Sequence, residues 1–116
     1  MKKILIIDDD PTIRKYLTNL FKDNGYGTAV AEDARQALDL VSSEAFDLIT
    51  LDLEMPEEWG TRFYSKLAQD NQLKNIPVIV ISGMSGNEYA IPKAIASLTK
   101  PFDRKELLKI VRDILN

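Results

Sequence analysis

The sequence predicts an α/β fold, a parallel sheet of five strands with helices on both faces. Continuous apolar runs at residues 4–7 and 78–81, and a mostly apolar, β-branched or aliphatic run from Leu48 to Asp52, suit strands buried on both sides. Between them lie stretches whose apolar residues recur at the spacing of an amphipathic helix. Strand and helix patterns alternate five times, and strands joined by helical crossovers run parallel, each crossover right-handed. A chain of 116 residues suits one domain, residues 1–116, with one real core.

The first strand, residues 4–7, ends at Asp8 and Asp9. Asp10 is placed to cap a helix that begins with Pro11, whose fixed φ and missing N–H suit the first helical position. Ile13, Tyr16, Leu17, Leu20 and Phe21 form the apolar face of that helix, and Gly25 supplies its stop. Residues 28–31 make a short second strand. Asp33 then caps a helix carrying Ala34, Ala37, Leu38 and Val41.

The third strand begins at Leu48 and runs directly into the carboxylate of Asp52 and a Met55-Pro56 turn. Gly60 leads into a helix with Phe63, Tyr64, Leu67 and Ala68 on one face, broken by Asn75-Ile76-Pro77. The fourth strand, residues 78–81, ends at Ser82-Gly83. Residues 84–96 are poorly patterned and contain Gly86 and Pro92, both unfavourable inside a helix. A shortened or irregular fourth helix is expected there. Residues 97–99 form a short fifth strand ending at Lys100-Pro101. Asp103 and Glu106 have capping-box-like spacing ahead of a last helix lined by Leu107, Leu108, Val111, Ile114 and Leu115.

A parallel sheet collects the carboxyl ends of its strands along one rim, where open α/β sheets hold their ligands. Asp8, Asp9, Asp52, Ser82 and Lys100 all fall at strand ends or just beyond them. Converging carboxylates repel one another unless a cation sits among them. The chain has neither His nor Cys, and all-oxygen donors point to a hard cation, Mg²⁺ or Mn²⁺, in preference to Zn²⁺. Mg²⁺ takes one or two carboxylates, keeps several waters and shares its other positions with a phosphate. A lysine opposite supplies a compact positive charge for a phosphoryl oxygen, and a hydroxyl on the neighbouring strand can hydrogen-bond another. Such a set stabilises a phosphoryl group in transit and lets a carboxylate attack it.

These motifs resemble those of response-regulator receiver domains (CheY-like). The resemblance rests on Ile6-Ile7-Asp8-Asp9-Asp10-Pro11, on Asp52-Leu53-Glu54-Met55-Pro56 with Gly60, on Val78-Ile79-Val80-Ile81-Ser82, and on Lys100-Pro101-Phe102. It covers essentially the whole chain, and four motifs in order are far more specific than any one. It implies a flavodoxin-like (βα)5 three-layer sandwich with strand order 2-1-3-4-5. It also implies roles. Asp52 is the phospho-acceptor, Asp9 ligates the metal directly, and Asp8 acts nearby through water. Glu54 offers its backbone carbonyl to the metal, Lys100 pairs with the phosphoryl group, and Ser82 closes onto it. The implied partners are a sensor histidine kinase or histidine phosphotransfer protein and a downstream protein.

The composition agrees. Without His, any phosphohistidine must come from another molecule. A formal net charge of −3 offers no basic field for nucleic acid. The absence of Cys excludes disulfides and thiolate metal sites and favours a cytoplasmic setting. No apolar run is long enough to span a bilayer, so no membrane insertion is expected. No effector domain follows Asn116, so the output is expected to pass through another protein or a longer polypeptide containing this one.

Each residue also has a plainer reading. An acidic pair before a helix is most often a cap, which fits Asp10 better than Asp8 or Asp9. Ser82 alone would be unremarkable, and Lys100 alone would be a solvated side chain. Trp59 is as well explained by half-buried packing as by a partner. Met55 and Phe102 read as packing residues, Glu57 and Glu58 as a solvated turn.

Two features depart from the family pattern. Many receivers carry an aromatic three residues before the lysine, where this chain has Ser97. The stretch between Ser82 and Lys100 is also shorter than usual by about one helical turn. The face formed by the fourth helix, fifth strand and fifth helix is therefore expected to be a poor dimer surface. These departures keep a second reading open, a degenerate receiver acting as a constitutive interaction module. A phosphatase-like hydrolase is disfavoured, because Glu54 only approximately fills the position of its second acid–base carboxylate.

Overall fold

The apolar runs pair as five parallel strands. The computed structural model describes residues 1–53, 59–83 and 96–116. Its elements are β1 (Lys3–Ile7), α1 (Pro11–Asp23), β2 (Gly27–Ala31), α2 (Ala34–Ser43), β3 (Leu48–Leu51), α3 (Trp59–Gln69), β4 (Val78–Ser82), β5 (Ala96–Thr99) and α4 (Arg104–Leu115). The strand order is β2-β1-β3-β4-β5.

That order dictates the layering. β1 to β2 steps one way along the sheet, whereas β2 to β3 and β3 to β4 step the other way. Right-handed crossovers then put α1 on one face and α2 and α3 on the opposite face. The core divides accordingly, because successive strand side chains point to alternate faces. Leu5, Ile7, Ile49, Leu51, Val78 and Val80 meet Ala37, Val41, Phe63 and Leu67 of α2 and α3. Ile4, Ile6, Leu48, Ile79, Ile81 and Leu98 meet Leu17, Phe21, Leu107 and Val111 of α1 and α4. A strand covered on both faces favours apolar residues throughout, which is why the central runs are near-continuous rather than alternating, with Thr50 the exception in β3.

The helix ends follow local chemistry. The Asp10 side chain accepts from Thr12 N–H at 2.9 Å, and Pro11 is the first helical residue. At the other end of α1, Gly25 adopts φ +87°. Gly25 N–H then reaches Lys22 O at 3.1 Å and Tyr26 N–H reaches Phe21 O at 3.0 Å, the paired bonds of a Schellman cap. The accompanying apolar contact is the edge-on packing of Phe21 against Tyr26. Asp33 caps α2 through Gln36 N–H, and Asp103 caps α4 through Lys105 N–H.

β1, β2 and β5 each begin one residue earlier than expected, and three other sequence expectations shift. α3 ends at Gln69 rather than running to Pro77, because Asp70 Oδ1 accepts from Gln72 and Leu73 N–H and pulls the chain into a turn first. Tyr16 lies at the margin of the α1 face, 42% exposed, with its ring against Phe102 at a centroid distance of 6.1 Å. β4 extends by one residue to include Ser82. The expected irregular helix over 84–96 falls almost wholly on residues 84–95, outside the described residues, as do Glu54, Met55, Glu57, Glu58 and the Trp59 side chain.

Candidate functional site

The strand order reverses between β1 and β3, and the carboxyl ends of these two strands carry the acidic residues. Ile7 pairs in register with Leu51, so the residues that follow, Asp8 and Asp52, emerge side by side. Backbone bonds extend the alignment one step past the strands: Asp8 N–H donates to Ala31 O at 3.1 Å, and Asp52 N–H to Ile7 O at 3.0 Å. Both side chains are buried, each residue 2% exposed, whereas Asp9 is exposed. One carboxylate oxygen from each of Asp8, Asp9 and Asp52 lies within 4.8 Å of the other two.

Lys100 enters from the far side of the sheet. β5 pairs with β4 so that Thr99 sits beside Ser82, and Lys100 N–H donates to Ser82 O at 2.9 Å. The Lys100–Pro101 peptide is cis. The Lys100 ammonium donates to Asp8 Oδ2 at 2.9 Å and lies 3.7 Å from Asp52 Oδ2. Asp8 is engaged at both oxygens, since Oδ1 accepts from Asp10 N–H at 2.9 Å. Ser82 is fully buried at the end of β4.

Among the described residues, the rim thus gathers three carboxylates against one ammonium. The donor set is all oxygen and formally short of positive charge, which suits a hard divalent cation and excludes a thiolate or imidazole metal. Asp8, Asp9, Asp52, Ser82 and Lys100 come together at this rim as their strand-end positions predict. Glu54 falls outside the described residues. Ser97 lies on β5 in register with Val80 and is half-buried.

One participant was not singled out from the sequence. Arg14 Nη1 donates to Asp8 O at 2.8 Å, and its Nη2 lies 3.8 Å from Glu32 Oε2. The available signal was its place one turn beyond the Asp10 cap, because helical side chains lean back toward the N-terminus and hence toward the end of β1. Thr50 was also missed. It is a hydroxyl in the middle of a fully buried strand, and among the described residues its Oγ1 has no hydrogen-bond partner.

A doubly wound parallel sheet with an acidic cluster and a lysine on its carboxyl rim is the arrangement expected of a receiver domain. Residues 4–112 match the response regulator receiver domain family, and the chain belongs to that family. Protein Rrf1 of Nitratidesulfovibrio vulgaris is 36% identical over 109 residues, covering 94% of this chain and 79% of that protein. The chemotaxis protein CheY of Pseudomonas aeruginosa is 32% identical over 117 residues, covering 97% of this chain and 94% of CheY. Among solved structures, the response regulator TrrA of Thermotoga maritima, in complex with Mg²⁺-BeF, aligns with a TM-score of 0.88 at 30% identity, covering 99% of this chain and all of that one (100%). Among the described residues, no helix is long and apolar enough to cross a membrane.

Proposed function

We propose that residues 1–116 form a single phospho-acceptor receiver that takes a phosphoryl group onto Asp52 from a phosphohistidine of a sensor histidine kinase or histidine phosphotransfer protein. The observation that carries this reading is the Asp8, Asp9 and Asp52 cluster within 4.8 Å, with the Lys100 ammonium against two of its members. In the reaction, a carboxylate oxygen of Asp52 attacks phosphorus. An O–P bond forms while the P–N bond breaks, and the departing imidazole keeps the electron pair and takes a proton from solvent. Lys100 then turns from the carboxylates to a phosphoryl oxygen, and the Ser82 hydroxyl donates to another.

Mg²⁺ or Mn²⁺, when bound, neutralises charge on the acidic cluster and on the phosphoryl oxygens. Asp9, exposed at the rim, and Asp52 would hold the ion directly through their carboxylates, and Glu54 would offer its backbone carbonyl. Asp8 already holds Lys100 and Asp10 N–H, which supports a role through water. The domain acts on itself rather than turning over a substrate, and the phosphorylated state changes its contacts with a downstream protein. The net charge of −3 supports a protein partner over direct nucleic acid contact. The lack of Cys and of a long apolar run supports a cytoplasmic setting without membrane insertion.

Treatment with acetyl phosphate and Mg²⁺, followed by intact-mass measurement, tests the reading. One Mg²⁺-dependent phosphoryl adduct is expected on the native chain and none on Asp52→Ala. If the native chain forms no adduct and Asp52→Ala behaves identically, the phospho-acceptor reading fails. The constitutive interaction module would then stand, a reading that Ser97 favours because a small polar residue on β5 cannot fill a pocket as an aromatic would.

A further inference from the structure

The Asp8–Asp10 turn carries two of the three clustered carboxylates, so its shape sets where they point. Besides the helix-capping bonds of Asp10 and the Lys100 bond to Asp8 Oδ2, three bonds hold it. Asp8 N–H donates to Ala31 O at 3.1 Å, Asp10 N–H donates to Asp8 Oδ1 at 2.9 Å, and Arg14 Nη1 donates to Asp8 O at 2.8 Å. The first is a backbone bond to the last residue of β2, and the second lies within the turn. The third comes from a side chain that does not belong to the acidic cluster.

We infer that Arg14 is a positioning residue for the cation site, tying the Asp8–Asp10 turn to the end of β2. This rests on the reading of the acidic rim given under Proposed function. The guanidinium is largely covered, its side chain 17% exposed, and it faces two ways. One arm holds the Asp8 carbonyl, and the other approaches Glu32 at 3.8 Å. Glu32 is itself held, for its N–H donates to Gln36 Oε1 at 3.0 Å and its Oε1 accepts from Gln36 Nε2 at 3.1 Å. A continuous chain of polar contacts therefore runs from the acidic rim through Arg14 and Glu32 to the first turn of α2. The planar guanidinium presents its donors in a fixed fork, so one nitrogen holds the Asp8 carbonyl while the other faces Glu32.

The sign of the effect separates positioning from plain charge. Removing a cation beside an acidic cluster would, by Coulomb's law alone, tighten a divalent ion. If Arg14 instead orients the turn, its removal loosens the ion. Outer residues that orient metal ligands are typically worth about ten- to a hundredfold in affinity.

The experiment uses Arg14→Met, which keeps an apolar stem and removes the donors, and the exposed neighbour Lys15→Met as a charge control. Mn²⁺ affinity is measured by calorimetry on the full chain, and amide hydrogen exchange at residues 8–10 on the metal-free chain. Arg14→Met is expected to bind Mn²⁺ about tenfold more weakly and to exchange faster at Asp10. Lys15→Met is expected to match the native chain. Unchanged or tighter Mn²⁺ binding by Arg14→Met, beside a native chain that binds, overturns the inference and leaves the proposed function standing. A native chain that binds no Mn²⁺ overturns both. A lower melting temperature with unchanged affinity and unchanged exchange at residues 8–10 marks Arg14 as merely structural and also overturns it.

Discussion

The Lys100 ammonium bonds Asp8 Oδ2 at 2.9 Å and stands 3.7 Å from Asp52 Oδ2, linking residues 92 positions apart in the chain. Asp8 and Asp52 are buried, so the Lys100 ammonium offsets charge that water screens poorly. Replacing Lys100 by Met should therefore destabilise the metal-free protein by about 3 kcal/mol, the usual consequence of leaving a buried charge without its partner. Urea unfolding of the two proteins measures it, and a difference below about 0.5 kcal/mol would show that solvent screens the pair. Mg²⁺ should recover part of the loss.

Asp9 behaves in the opposite sense. It is exposed but its carboxylate joins the same crowded cluster. Asp9→Asn should stabilise the metal-free chain by about 0.5 kcal/mol by relieving repulsion. It should also lose the stabilisation that a saturating divalent ion gives the native chain, about 2.7 kcal/mol at a hundredfold excess over Kd. Melting curves with and without Mg²⁺ separate the two effects.

Thr50 carries a buried hydroxyl with no partner among the described residues. Thr50→Val keeps the branched shape and removes the unsatisfied group, so it should stabilise the fold by about 1 kcal/mol. For a domain of this size the melting temperature should rise by about 4 °C. No rise, or a fall, would mean that the hydroxyl is satisfied in solution.

Gly25 closes α1 at φ +87°, and a Cβ there would meet nothing within 4 Å. The penalty for Gly25→Ala is consequently one of backbone conformation rather than crowding, about 1 kcal/mol. Chemical denaturation checks it, and Gly25→Asn should be milder because Asn tolerates the left-handed region.

Burial raises the Tyr64 hydroxyl above its ordinary value of 10.0, by disfavouring the phenolate. The folded state thus holds this proton more tightly than the unfolded chain. The stability it contributes is full below pH 10 and declines as pH rises through the folded value. Phenolate absorbance titrated to alkaline pH should show a late component that Tyr64→Phe removes.

The linear pattern of residues already contains most of the fold. Continuous apolar runs mark strands covered on both faces, and Asp10, Asp33, Asp103 and Gly25 punctuate helices by chemistry that acts within a few residues. The position of every described candidate on the carboxyl rim was legible for the same reason, since a parallel sheet puts all its strand ends on one edge. The end of α3 was not, because the Asp70 turn competes with a stronger-looking Pro signal seven residues later.

What only the tertiary structure decided is who bonds whom on that rim. Register places Asp8 beside Asp52, and β5 brings Lys100 to them from the far end of the chain. The clamp of Arg14 on the Asp8 carbonyl, and the lack of a partner for the Thr50 hydroxyl among the described residues, depend equally on which surfaces meet. Local propensity acts over a few neighbours and can be read from their order. Pairwise electrostatics depends on distances between residues remote in sequence, and those distances exist only once the sheet has formed.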